Sequence, residues 1–68
     1  MDDVPLTQRE EDIMRLLAFS KTPRQISEQI GVTLRTVEHD ITRLRVKLHV
    51  RDVATLRTIA RERADRTD

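Results

Sequence analysis

Apolar residues recur along this chain at helical spacing, and turn chemistry falls between the runs. Ile13, Leu16 and Leu17 stand at i, i+3 and i+4, and Ile26 and Ile30 at i and i+4. Val37, Ile41, Leu44 and Leu48 follow at i, i+4, i+7 and i+11, then Val53, Leu56, Ile59 and Ala60. Each set makes one stripe of a 3.6-residue period, and no strand-like alternation of any length interrupts them. The pattern predicts an all-α fold of four helices, at about 7–19, 23–30, 34–48 and 53–63.

Capping signals sharpen those boundaries. Thr7-Gln8-Arg9-Glu10 fits a capping box, in which the threonine hydroxyl and the glutamate carboxylate each accept from the other residue's amide. Thr22-Pro23-Arg24-Gln25 repeats the device, with proline at the first helical position. Gly31 is placed to end the second helix in a left-handed conformation, and Thr33 to cap the third. Asp52 is a plausible cap for the fourth. His49 reads as a capping or packing residue at the end of the third helix. Phe19, the sole aromatic, is expected in the core with the apolar stripes.

With 68 residues the chain supports a single domain. The predicted organisation is a disordered N-terminus at 1–5, a helical domain at 6–64 and a frayed, charge-alternating C-terminus at 65–68. Cysteine is absent, which removes disulfides, thiolate metal sites and a cysteine nucleophile. His39 and His49 are spaced too widely for a helical zinc pair. No nucleophile–base–orienter set or glycine-rich phosphate loop is present, so the reading is not an enzyme, with no cofactor and no metal. No apolar run reaches the roughly 20 residues a bilayer requires. The acidic start lacks the features of a signal peptide, and a cytoplasmic, nucleoid-associated protein is the expectation.

The net charge of +1 conceals a gradient. Residues 1–12 sum to −4, whereas residues 21–51 sum to +4. The positive half contains the third helix, whose polar side carries Arg35, Glu38, His39, Thr42, Arg43, Arg45 and Lys47. A short helix, a glycine turn and a long helix with that face suggest a helix-turn-helix made to lie in a DNA groove. Phosphate contacts are expected from Arg24, Thr33, Arg35, Thr36, Arg43 and Lys47, helped by amides at the N-termini of the second and third helices. Arg45 and Lys47 could equally complement the C-terminal dipole of the third helix.

Four segments carry a family resemblance. They are Leu6-Thr7-Gln8-Arg9-Glu10 with its following Ile13-Met14-Arg15-Leu16-Leu17-Ala18, then Thr22 to Ser27, Val32 to His39, and Lys47 to Asp52. Together they resemble the LuxR-type helix-turn-helix domain of LuxR, GerE and FixJ-like bacterial regulators, without a gap over roughly residues 6–60. The resemblance implies a bacterial transcriptional regulator that binds specific double-stranded DNA through helix 34–48 in the major groove. It implies base reading by Glu38, His39 and Thr42, and a homodimer contact through Val53, Leu56, Ile59 and Ala60. Contact with RNA polymerase is a further partner this reading admits.

Three positions depart from the family pattern. Ser20 replaces a usual glycine, so that turn is expected to form without free access to positive φ. Asp40 replaces a frequent histidine, and on the reading face it would lower the local positive potential. Val53 replaces a common arginine. The receiver or ligand-sensing domain that accompanies such modules has no counterpart in these residues. Two other readings stand beside the first. One is a sigma-factor region 4-like promoter binder, against which the fourth helix argues. The other is an interaction module for a transcription factor or polymerase, supported by Glu38 and Asp40 on the presumed reading face.

Overall fold

A computed structural model describes residues 5–66 and has four helices: α1 (Gln8–Ala18), α2 (Pro23–Ile30), α3 (Leu34–Leu48) and α4 (Val53–Arg66). Their N-termini form as the capping code requires. In α1 the Thr7 amide donates to Glu10 Oε1 at 2.9 Å and the Glu10 amide to Thr7 Oγ1 at 3.1 Å. In α2 the Thr22 amide donates to Gln25 Oε1 at 2.9 Å, and the Gln25 amide returns a bond to Thr22 Oγ1 at 3.2 Å. Thr33 Oγ1 accepts from the Thr36 amide, and Asp52 Oδ1 from the Thr55 amide at 2.7 Å. Each bond satisfies one of the amides that a helix start leaves without a partner.

The first three helices end alike. An amide just beyond each last turn reaches back five positions: Lys21 to Leu16, Val32 to Ser27, and Val50 to Arg45. Such a closure needs one residue with positive φ. Gly31 provides it at 74°, but the other two turns use Ser20 at 63° and His49 at 58°. The turn after α1 therefore enters the left-handed region despite its serine, against the expectation from sequence. Arg57 Nη1, from α4, donates to the Leu17 carbonyl at 3.3 Å and so helps close the same helix end.

α1 packs chiefly on α4, and α2 on α3; the core fills the space between the two pairs. Ile13, Met14, Leu16 and Leu17 meet Ile26, Val37, Ile41 and Leu44, with Leu56 and Ala60 arriving from α4. This arrangement corrects two expectations. Leu56 and Ala60 are buried within the domain, so they are not free to contact a second copy; Val53 and Ile59 are half-buried against the core. Phe19 is 67% exposed, because it caps α1 beyond the buried stripe and faces outward.

α4 also runs further than the periodicity predicts, to Arg66. Arg, Glu and Ala favour helix even without a buried stripe, and Arg63 Nη2 reaches Glu11 Oε1 of α1 at 3.5 Å. The expected disordered N-terminus (apart from Pro5) and residues 67–68 of the expected frayed tail lie outside the described residues. Among the described residues no helix is long and apolar enough to cross a membrane, and no three His, Cys, Asp or Glu side chains come together as a metal site.

Candidate nucleic-acid interface

The long third helix divides into two sides. Val37, Ile41 and Leu44 point into the core, so the positions opposite them in helical phase must face outward. Those positions are Arg35, Glu38, His39, Thr42, Arg43 and Val46, and all six are exposed. The N-cap Thr33 lies just before this face and Gly31 sets the turn into it. An added Cβ at Gly31 would meet no atom within 4 Å, so backbone conformation, not space, is what calls for glycine there.

Glu38, His39 and Thr42 occupy one exposed sector, and each keeps hydrogen-bonding capacity. Thr42 Oγ1 donates to the Glu38 carbonyl at 3.1 Å, which leaves its oxygen to accept and its methyl to make apolar contact. Arg24 stands exposed in the first turn of α2, and Arg35 and Arg43 are exposed on α3. The Thr33 hydroxyl donates to Thr36 Oγ1 at 3.0 Å while accepting from the Thr36 amide, so it is spent on the cap; the Thr36 hydroxyl keeps its own proton to give.

Two charged residues of α3 take other roles. Asp40 does not join the outward face. Its side chain is 5% exposed and is held by Arg9 of α1, whose Nε donates to Oδ2 at 2.6 Å and whose Nη2 donates to Oδ1 at 3.3 Å. The feared negative charge is thus turned inward and offset by a guanidinium. Lys47 donates to Glu10 Oε1 at 2.7 Å, and its side chain is largely covered. Burial alone would raise the Glu10 carboxyl. The Lys47 ammonium and the Thr7 cap outweigh that effect and hold it below the usual glutamate range.

Arg9 and Val46 were absent from the sequence-derived site. Arg9 sits among acids in the chain, and nothing local links it to a residue 31 positions away. Val46, 71% exposed at the centre of the outward face, is visible from helical phase alone: it lies opposite Val37 and Leu48. An exposed β-branched apolar side chain there can meet a thymine methyl group. Arg45 is half-buried, with its Nε covered, toward the Asp52 end of the helix.

Residues 4–60 match the family described as bacterial regulatory proteins, luxR family. The transcriptional regulatory protein LiaR of Bacillus subtilis (strain 168) is 43% identical over 47 residues, covering 69% of this chain and 22% of that protein. The uncharacterized transcriptional regulatory protein YvfU of the same organism is 34% identical over 62 residues, covering 91% of this chain and 31% of its own length. The chain thus spans between a fifth and a third of these curated relatives. No solved structure matches it. A four-helix domain with an exposed third-helix face, matched over most of its length, belongs to the luxR family of bacterial regulatory proteins.

Proposed function

We propose that this domain recognises specific duplex DNA by laying α3 in the major groove. The observation that carries the reading is the outward face of α3: two arginines and three base-capable side chains, with its one buried acid turned inward. The groove is wide enough to admit a helix and displays a distinct donor and acceptor pattern for each base pair. Glu38 can accept from a cytosine amine, His39 can bond a purine N7, and Thr42 can offer hydroxyl or methyl. Arg24, Arg35, Thr36 and Arg43 would hold phosphates on either side and fix the register of the helix. Lys47 is better assigned to the fold, because its ammonium already serves Glu10.

The interaction-only reading relied on two acids facing outward, and Asp40 no longer counts toward it. The 14-residue α4, packed along α1, likewise supports a LuxR-type domain over a sigma-factor region 4. Regulation of transcription and a nucleoid location go with the same proposal, and contact with RNA polymerase is a further partner it admits. A homodimer through α4 would have to use its half-buried Val53 and Ile59 with exposed neighbours such as Ala54 and Thr58, since Leu56 and Ala60 are occupied.

The test is a selection of bound duplexes from a random pool, followed by substitution. His39→Ala or Thr42→Ala should relax preference at particular base pairs, by about 1–3 kcal/mol per good contact. Arg43→Ala should weaken all sequences alike. A selection that enriches no sequence, or three variants with identical profiles, contradicts the assignment.

A further inference from the structure

Arg9 belongs to the first turn of α1, yet its guanidinium rests on α3. The two bonds to Asp40 use Nε–H and one Nη2–H of a planar group that has five N–H donors. Half of the side chain, 51%, remains exposed while its carboxylate partner is 5% exposed. The carboxylate is thus covered while the arginine side chain stays half open to solvent, and three of its N–H donors are not used by Asp40. Along α3 the neighbours of Asp40 at i−4 and i+3 are Thr36 and Arg43, which share its flank of the helix. A hydroxyl, one guanidinium of α3 and one guanidinium of α1 thus line the same edge, beside the sector that holds His39.

We infer that Arg9 is a DNA-phosphate ligand, held ready by Asp40, at a site built jointly by α1 and α3. This rests on the DNA-binding reading above and extends it to an element outside the helix-turn-helix. An unrestrained arginine loses side-chain freedom when it is fixed against a ligand, which weakens binding. The bidentate Asp40 contact fixes Arg9 beforehand, and the outward N–H groups retain the fork geometry that suits a phosphate. The buried charge of Asp40 needs a cation in any case, so a plain structural role must be separated from a binding role.

The separating experiment uses the Asp40→Asn background, in which no buried charge requires neutralising. Fluorescence polarisation on a labelled duplex of mixed sequence would compare Asp40→Asn with the Asp40→Asn, Arg9→Gln pair, each checked for folding by thermal melting. A phosphate contact predicts that the pair binds about tenfold more weakly, as for loss of a charged hydrogen bond, with a salt slope smaller by about one unit. Equal affinities and equal slopes would reduce Arg9 to a partner for Asp40 and overturn the inference, while leaving DNA binding itself intact. If the pair does not fold, Arg9→Lys replaces it. A single ammonium can keep Asp40 company but has no outward fork, so about threefold weaker binding is expected, and wild-type affinity would count against the assignment. A wild-type domain indifferent to duplex at low salt would instead overturn the underlying reading, and this inference with it.

Discussion

Lys47 Nζ lies 2.7 Å from Glu10 Oε1, so the last turn of α3 is fastened to the first turn of α1. The same carboxylate oxygen also accepts from the Thr7 amide at 2.9 Å. One atom therefore completes a helix cap and an inter-helix ion pair 37 positions apart in the chain. Removing the ammonium by Lys47→Met leaves a buried carboxylate with only its cap. A loss of about 1–2 kcal/mol is expected, below the full cost of an orphaned buried charge because Lys47 is partly exposed and Thr7 remains. Chemical denaturation checks this. Binding to duplex should change less for Lys47→Met than for Arg43→Ala.

The same contact sets an acid limit. Glu10 titrates below its ordinary value of 4.5 in the folded domain, and Asp52, held by the Thr55 amide, below 3.8. A carboxyl depressed by folding contributes stability that is fully present above its unfolded value and is lost as pH falls through its folded value. Melting temperature should therefore hold steady above about pH 5 and drop below 4.5, as the unfolded chain begins to take up protons that the folded one refuses. The Glu10→Gln variant should start lower and fall less steeply. Parallel curves for the two proteins would show that Glu10 is not a source of the acid sensitivity.

Ser20 carries a backbone strain that glycine would relieve. A non-glycine residue in the left-handed region costs roughly 1–2 kcal/mol, and glycine returns about 0.5–1 of that through a freer unfolded chain. Ser20→Gly should therefore stabilise the domain by about 0.5–1 kcal/mol. The bond from Arg61 Nη2 to Ser20 Oγ, 3.4 Å and exposed, offsets little. Gly31→Ala should shift stability the other way by about 1 kcal/mol, purely through φ. Urea midpoints of the two variants report both signs.

Leu56 separates a core role from a partner role. It is fully buried in one copy of the chain. Leu56→Ala should cost about 2–5 kcal/mol, comparable to the whole stability of a domain this small, and leave much of it unfolded. A partner-contact role would instead leave a folded monomer. Circular dichroism with sedimentation tells the two outcomes apart.

What the sequence made legible was local. Thr7 with Glu10, and Thr22 with Gln25, declare helix starts because the bonds span three residues and need nothing from the rest of the chain. The stripe at Val37, Ile41 and Leu44 declares which side of α3 is buried. What it hid was tertiary. Asp40 looks like a surface acid until α1 delivers Arg9, and Lys47 looks like a free cation until the same helix delivers Glu10. Phe19 looks like core because it is aromatic, yet it follows the last buried turn of α1. The end of α4 is hidden from periodicity because its final turn depends on helix-favouring residues and a reach to Glu11, not on an apolar repeat.

The claim on which the functional account depends is that the outward side of α3 meets a polyanion. Polarisation titration of the domain against a mixed-sequence duplex across a range of salt concentrations tests it most directly. Arg24, Arg35 and Arg43 predict a log–log slope of roughly −3, or about −3.5 with Arg9 as a fourth contact, made shallower by about one unit in Arg43→Ala. Absence of binding in dilute salt, or binding whose strength ignores salt, would contradict the account.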